Sequence, residues 1–503
     1  MQWILLVGLL LGCTGGRYAR GPSAIEQATG PVQLVHQPAA GELVHLEILV
    51  RAGSAHDPIG SEGLAHLTAH LLREGGAGKH SATAVQRALH RMGTDIDVVV
   101  DREMVAFRAT CVSEDAAEVA KLMAKMLTAP KLDPSVLTRL RTEAMTTLKS
   151  GIPQNDEALG DALLDARLYA GHGYGHPVQG RTGVLETVDV AQVRRFLLER
   201  YVRPAVVLGV SGAATDDVVS SLRDSLSTLP AQMYRDVTPR AAPVPRGRRV
   251  LIVQKQTTAT GIHFGHHTRL RRDHPDWAAM LLATTALGEH RQAHGRLYQA
   301  LREVRGLNYG DYAYVERYRQ DGWSHRQQTG TGRVDNPFYV WLRPVAPDNA
   351  PFALKGALTL VEDWVQRGLS EDEFVAMQRY LQSRISLWAA DPARRLGWAT
   401  EAALMRWPDP ITQLPKAVSS LTREQVNAAI ARHIHPDRLD VVIVTQDADK
   451  LASVLRSEAP TPMQGAQAVA QGDDKRQAED TRFSEAALKV QHIDVVSTED
   501  VFR

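Results

Sequence analysis

Arg200-Tyr-Val-Arg-Pro204 runs into Ala205-Val-Val-Leu-Gly-Val210, and Arg432-His-Ile-His-Pro436 runs, after Asp437 and Arg438, into Leu439-Asp-Val-Val-Ile-Val444. Each is a basic turn that ends in proline and feeds a β-branched run. Proline stops a helix, and a β-branched run favours a strand. Each copy also follows an amphipathic helical pattern, Val190–Arg200 in one and Arg423–His433 in the other. The copies are 232 residues apart and flank a segment from Leu229 to Arg249 that carries Pro230, Pro239, Pro243 and Pro245. Matched helix–Pro–strand units on either side of a Pro-rich linker read as a duplication.

Working outward, each half mixes strands with consecutive helices. In the first half Val44–Arg51 and Val105–Val112 are strand candidates, and helices are predicted over Ser81–Met92, Glu114–Leu127, Pro134–Lys149, Glu157–Tyr169 and Val190–Tyr201. Helices layered on sheets give an α+β class, here two homologous α/β sandwiches. At 503 residues the chain exceeds one ordinary core, so two domains are expected. The boundaries are residues 1–30 as leader and tether, 31–229 and 250–458 as the domains, 230–249 as linker, and 459–503 as tail. The tail is polar and carries Pro460, Pro462, Gly465 and Gly472-Asp-Asp-Lys-Arg476. Poor order is expected there up to Val490, with Ile493–Ser497 as a candidate edge strand.

A net charge of +1 excludes a strong electrostatic pull toward nucleic acid. Two cysteines are too few for a disulfide framework. Cys111 sits in an alternating run and reads as a small buried hydrophobe. Cys13 follows the apolar run Ile4–Gly12, which has signal-peptide length and is too short to span a bilayer. Leu10-Leu-Gly-Cys13 resembles a bacterial lipobox, in which the cysteine is lipidated and becomes the mature N-terminus. That resemblance implies a membrane anchor through Cys13 and a periplasm-facing place in the bacterial envelope, at the outer membrane. The alternative is an ordinary secretory signal.

The segment with the most chemistry is Gly63-Leu-Ala-His-Leu-Thr-Ala-His-Leu-Leu-Arg-Glu-Gly-Gly76. Its apolar stripe, Leu64, Leu67 and Leu71, predicts a helix. His66 and His70 are then one turn apart on a shared face, the spacing of a helical zinc site. The same spacing also arises as two ordinary helix histidines. A hydrolytic metal site needs a carboxylate that takes a proton from bound water. Leu67, Thr68 and Ala69 stand between the histidines, and none can do this.

Gly63–His70, Gly75-Gly76, Leu89-His-Arg-Met-Gly93 and Tyr174-Gly-His-Pro177 resemble the insulinase/pitrilysin family of zinc peptidases, which includes the mitochondrial processing peptidases. The resemblance covers roughly residues 31–458 and implies two homologous α+β domains per chain. Active members carry His-x-x-Glu-His with a further Glu ligand downstream. His66 and His70 match the two histidine ligands, and Ala69 stands at the general-base position. The third ligand falls near residues 145–150, where the chain reads Met-Thr-Thr-Leu-Lys-Ser. Glu143 is the nearest carboxylate and matches an upstream family position instead. In the second half, Leu287–Gly310 resembles the family's C-terminal signature, and Arg302 and Tyr309 match its substrate-contacting Arg and Tyr. Glu289, His290 and His294 in that stretch match no family ligand.

The expectation is therefore a non-catalytic, pseudo-peptidase subunit of a zinc metallopeptidase heterodimer. It would bind extended peptide through Arg302 and Tyr309, its partner would supply His-x-x-Glu-His, and no cofactor is expected beyond weak or vestigial Zn2+ at His66 and His70. Two alternatives stay open. One is a scaffold protein of an envelope complex, and the other is an active zinc peptidase with altered ligands.

Overall fold

The computed structural model describes residues 30–234, 236, 244–289, 292–317, 328–465 and 473–502. The leader, with Cys13, lies outside the described residues. No helix among them is long and apolar enough to cross a membrane.

The first half builds one sheet from β1 (Gln33–Pro38), β2 (Leu43–Val50), β3 (Asp97–Val100), β4 (Val105–Val112) and β5 (Val206–Gly212), in the order β1-β5-β2-β4-β3. The second half uses β6 (Arg248–Gln254), β7 (Thr260–His267), β8 (Gly310–Tyr314), β9 (Pro337–Val345) and β10 (Asp440–Thr445), in the order β6-β10-β7-β9-β8. The two orders are the same topology. β5 runs parallel to β1 and antiparallel to β2, and β10 runs parallel to β6 and antiparallel to β7. β5 and β10 are the strands of the repeated helix–Pro–strand unit. Their preceding helices, Val190–Arg200 and Arg423–His433, even start alike. Asp189 with Gln192 and Thr422 with Gln425 form capping boxes, each closing two backbone N–H groups.

The halves are interlocked. Helix Asp156–Leu168 belongs to the first half in sequence but packs on β7 and β10 of the second sheet. Helix Pro392–Met405 makes the reciprocal crossing and packs on β2 and β5. Both crossings depend on glycine. A Cβ on Gly160 would lie 2.3 Å from the His263 ring, and one on Gly209 would lie 2.4 Å from Thr400 Cγ2. The first crossing buries Leu159, Leu163 and Leu164 against Val253, Tyr339, Trp341 and Val442. The second buries Leu404 and Met405 against Leu49, Ala106 and Val207.

Buried charges fasten the same seam. Asp165 faces Arg102 at 3.2 Å, Arg317 at 3.6 Å and Arg333 at 3.9 Å. Arg333 also reaches Asp101 at 3.0 Å. Arg108 bridges Glu47 (2.7 Å) to the Thr329 carbonyl (2.7 Å). Each ion is hydrogen-bonded and paired, the condition under which buried charge is tolerated.

Two regions differ from the sequence expectation. The tail, expected to be poorly ordered up to Val490, holds a helix, Asp474–Glu485; it is followed by the expected edge strand, β11 (Val490–Ser497), which adds to the β6 edge. The helix is polar except for Phe483, so its periodicity is faint. That one ring is fully buried, edge-on to Phe352 and over Gly356. The linker also docks at its start. Tyr234 is fully buried and donates to the Arg51 carbonyl at 2.8 Å, and Asp236 meets Arg51 at 2.6 Å.

Candidate functional site

The histidine helix spans Leu64–Glu74. Asp57 fixes its start by accepting from the Gly63 and Ala65 N–H groups at 2.7 and 2.6 Å. A carboxylate there satisfies orphan donors and suits the positive end of the helix. Leu64, Leu67, Leu71 and Leu72 bury the inner face. The helix brings His66 and His70 together, with ring centroids 4.4 Å apart, both half-buried.

What surrounds the pair is the issue. Ala69 is fully buried within the first domain's core. His70 Nδ1 lies 3.9 Å from Glu74 Oε1, and Glu74 is itself held by Arg139 and by Arg73. Burial lowers the His70 pKa against the pull of Glu74, so the ring is neutral at neutral pH. The helix Pro134–Thr146 widens into a π-helical turn, Thr147–Gly151, where a third ligand would fall. There Thr147 Oγ1 donates to the Glu143 carbonyl at 3.0 Å and Leu148 is buried. The exposed Glu143 carboxylate pairs with Arg139 at 2.6 Å. Among the described residues, no third His, Cys, Asp or Glu donor forms a three-ligand cluster with His66 and His70. A catalytic zinc takes three protein ligands and one water, so these residues do not fit that group.

Arg302 and Tyr309 are also brought together, on the second domain. The Arg302 guanidinium carbon lies 5.5 Å from the ring centres of both Tyr298 and Tyr309. Tyr309 is 59% exposed. The turn between them is rigid. Arg305 is fully buried and meets Asp480 at 2.6 Å and Glu479 at 2.8 Å, so the tail helix props this turn from behind. Gly306 takes the left-handed conformation, with φ of 60°. Asn308 Nδ2 donates to Asp311 Oδ1 at 2.5 Å beneath Tyr309. Burial pushes Asp311 up to about 7, against the Asn308 hydrogen bond and the Arg302 charge. A guanidinium and a phenol presented side by side can each donate to a peptide carbonyl.

The remaining candidates have structural partners. Glu289 pairs with Arg384 at 3.1 Å, and the His294 ring sits edge-on to Tyr380. His290 lies outside the described residues. Cys111 is buried, and burial pushes its thiol up to about 11. A cluster absent from the sequence reading, His274, Asp276 and His433, joins residues that only the fold brings together.

Comparison with known proteins bears on the fold. The family model described as Insulinase (Peptidase family M16) matches residues 33–180, and the one described as Peptidase M16 inactive domain matches residues 187–381. A Mycobacterium tuberculosis protein named as an uncharacterized zinc protease is 22% identical over 427 residues, covering 84% of this chain and 91% of that protein. The Dictyostelium discoideum mitochondrial-processing peptidase subunit beta is 19% identical over 208 residues, 41% of this chain and 44% of that one. The crystal structure of a peptidase M16 inactive domain from Pseudomonas fluorescens shares the fold, with a TM-score of 0.72 at 22% identity over 82% of this chain and 95% of that one.

Proposed function

From the premise that this chain belongs to the insulinase (M16) peptidase family, we propose that it is a pseudo-peptidase subunit. It would pair with a second chain of the same family that carries an intact His-x-x-Glu-His, close a chamber with it, and hold an extended peptide through Arg302 and Tyr309. The lipidation motif at Cys13 would anchor the pair at the bacterial envelope, facing the periplasm.

The observation that carries this reading is a contrast inside one chain. The first domain keeps two histidines beside a buried Ala69, with no third donor clustered on them among the described residues. The second domain presents Arg302 stacked between Tyr298 and an exposed Tyr309. Losing a general base alone costs about 10²–10⁴ in rate, and a missing ligand compounds the loss. A guanidinium–phenol pair needs no metal of its own to grip a backbone carbonyl. That the Dictyostelium relative is named as one subunit of a processing peptidase also supports a partnered role.

The test is reconstitution. The chain alone should leave an unstructured peptide uncut, and a complex with its His-x-x-Glu-His homologue should cut it. Arg302→Ala and Tyr309→Phe should each slow the complex without dissociating it. Equal rates in the wild-type and variant complexes would remove the peptide-holding role. Chelator-sensitive cleavage by the isolated chain would refute the pseudo-peptidase reading. A stable envelope complex that contains no peptidase would favour the scaffold alternative.

A further inference from the structure

Two helix ends meet on the second domain, far in sequence from the histidine helix. Helix Trp277–Gly288 begins after Asp276, and helix Arg423–His433 ends on His433 and packs beside it. Asp276 Oδ2 and His433 Nε2 are 2.6 Å apart. His274, two residues before Asp276, sits edge-on to His433, with ring centroids 5.2 Å apart and planes at 87°. One donor atom from each of the three side chains lies within 4.8 Å of the other two. All three residues are half-buried, so solvent and ions can reach them.

This donor set has the chemistry of a borderline divalent cation site. Two imidazoles and one carboxylate suit zinc, with water in the remaining position. Bonds of about 2.0–2.2 Å place tetrahedral donors about 3.5 Å apart, so closure needs a shift of about 1 Å, within reach of side-chain rotation. For His274 and Asp276 the direction of the shifts is compatible with that geometry, and a cation at His433 Nε2 would replace its hydrogen bond to Asp276. Burial, and then the neighbouring His433, lower the His274 pKa and leave its ring neutral. Burial opposes ionisation of Asp276, but hydrogen bonds from His433 and Arg432 hold it below the usual carboxylate range. The other charges facing the cluster are Arg432, which is 56% exposed and can swing into solvent, and Arg271, which is occupied by Asp273 at 2.9 Å. Binding through His274 has a cost. Its Nδ1 accepts from the Asp276 N–H at 3.0 Å, and the metal-binding tautomer exchanges that bond for one to water. The other three-residue cluster among the described residues, His56, Glu103 and Asp236, is unsuitable because the Arg51 guanidinium that sits on Asp236 at 2.6 Å and beside Glu103 at 3.7 Å is buried, whereas the Arg432 guanidinium on Asp276 is free to leave into solvent.

We propose that His274, Asp276 and His433 bind one zinc-class divalent cation, independently of His66 and His70, and so staple the start of one helix to the end of the other. The test titrates Zn2+ against a competing indicator, using the full chain stripped with chelator and free of any histidine tag. His66→Ala/His70→Ala should keep one zinc per chain. His274→Ala/His433→Ala should weaken that binding at least tenfold, and Arg432→Ala should preserve or tighten it. Far-UV circular dichroism verifies that the variants are folded. Cobalt(II) supplies a readout independent of their stability: the His66→Ala/His70→Ala chain should develop the visible bands of a low-coordinate site with nitrogen ligands. Zinc uptake unchanged in His274→Ala/His433→Ala, uptake abolished in His66→Ala/His70→Ala, or no cobalt bands in the latter would each overturn the proposal.

Discussion

Replacing Asp165 by Asn tests whether the two halves are one mechanical unit. The Asp165 carboxylate is almost fully buried on the first crossover helix and faces guanidinium groups of Arg102, Arg317 and Arg333 at 3.2, 3.6 and 3.9 Å. At an effective dielectric constant of about 20, each contact is worth about 4–5 kcal/mol of gross attraction. Most of that offsets the cost of burial, but removing the anion leaves the cations buried with one counter-charge fewer. Breaking such a cluster typically costs about 3–5 kcal/mol. Unfolding entropy is about 2.1 cal/mol/K per residue, or about 1 kcal/mol/K for the whole 503-residue chain. A cooperative chain should therefore lose about 3–5 °C in Tm. If only one half responded, the same loss would move that half's transition by about twice as much.

The assay separates these outcomes. Of eight tryptophans, only Trp3 precedes residue 277, so tryptophan fluorescence reports on the second half and, through Trp398 and Trp407, on its seam with the first sheet, while far-UV circular dichroism reports on both halves. Interlocked halves predict one shared transition, lowered in Asp165→Asn. Glu114→Gln, at an exposed carboxylate, should stay within about 0.5 kcal/mol of wild type. The pH dependence has a definite sign. Burial works against ionisation, but Arg317, Arg333 and Arg102 together hold the Asp165 pKa below the usual range. Its contribution is then full above the unfolded value of about 3.9 and is lost as pH falls through the folded value. The gap between wild type and Asp165→Asn should be constant from pH 6 to 8 and close below about pH 4. An unchanged Tm in Asp165→Asn, or a dichroism transition that precedes the fluorescence change, would refute the interlock argument.

Other substitutions probe separate parts of the structure. Phe483→Ala should cost about 3–5 kcal/mol and speed hydrogen exchange across residues 473–502, because one buried ring holds the tail helix to the second domain. Ala69→Glu should create no peptidase activity in a peptide-cleavage assay, since a base without a third ligand has no activated water to serve, and should lower stability by more than about 3 kcal/mol through overpacking and burial of an unpaired carboxylate. Gly160→Val should also lower Tm in both probes together, because its side chain would drive into His263 across the domain seam.

How much of this was legible in the sequence follows from how local each feature is. The helix–Pro–strand repeat carries its own signal, and it led to two sheets of one topology because β5 and β10 occupy the same place in each. The histidine helix was legible from Leu64, Leu67 and Leu71, which the structure buries. The crossing of helices between halves was not. Nothing in the pattern of Asp156–Leu168 says which sheet its leucines will meet, and Gly160 reads as a weak point in a helix until His263 is seen against it. The tail helix escaped because a single Phe483 gives no periodicity. His274 and His433 are 159 residues apart and share no motif, so only the packing of two helix ends makes them neighbours.

The strongest structural argument for a binding role comes from comparing two arginines three residues apart. Arg305 is fully buried, donates to two acidic side chains of the tail helix, and lies 4.8 Å over the Phe483 ring. Its presence is explained by the fold alone, since removing it would strand Glu479 and Asp480 and open the core. Arg302 has no such explanation. It is a third exposed, it meets the adjacent Glu303 at 3.4 Å, and its main neighbours are two tyrosine rings, one of them largely in solvent. Exposed ion pairs and cation–π contacts are each worth at most about 1 kcal/mol. Folding therefore gains little from the Arg302 guanidinium, yet Gly306, Asn308 and the buried Asp311 fix the turn that presents it. A braced turn that displays a guanidinium and a phenol to solvent is what the proposed peptide-holding role requires. Arg302→Ala should accordingly leave Tm within about 1 kcal/mol equivalent of wild type while weakening peptide capture by the reconstituted complex. A large loss of stability without loss of capture would assign Arg302 to the fold after all.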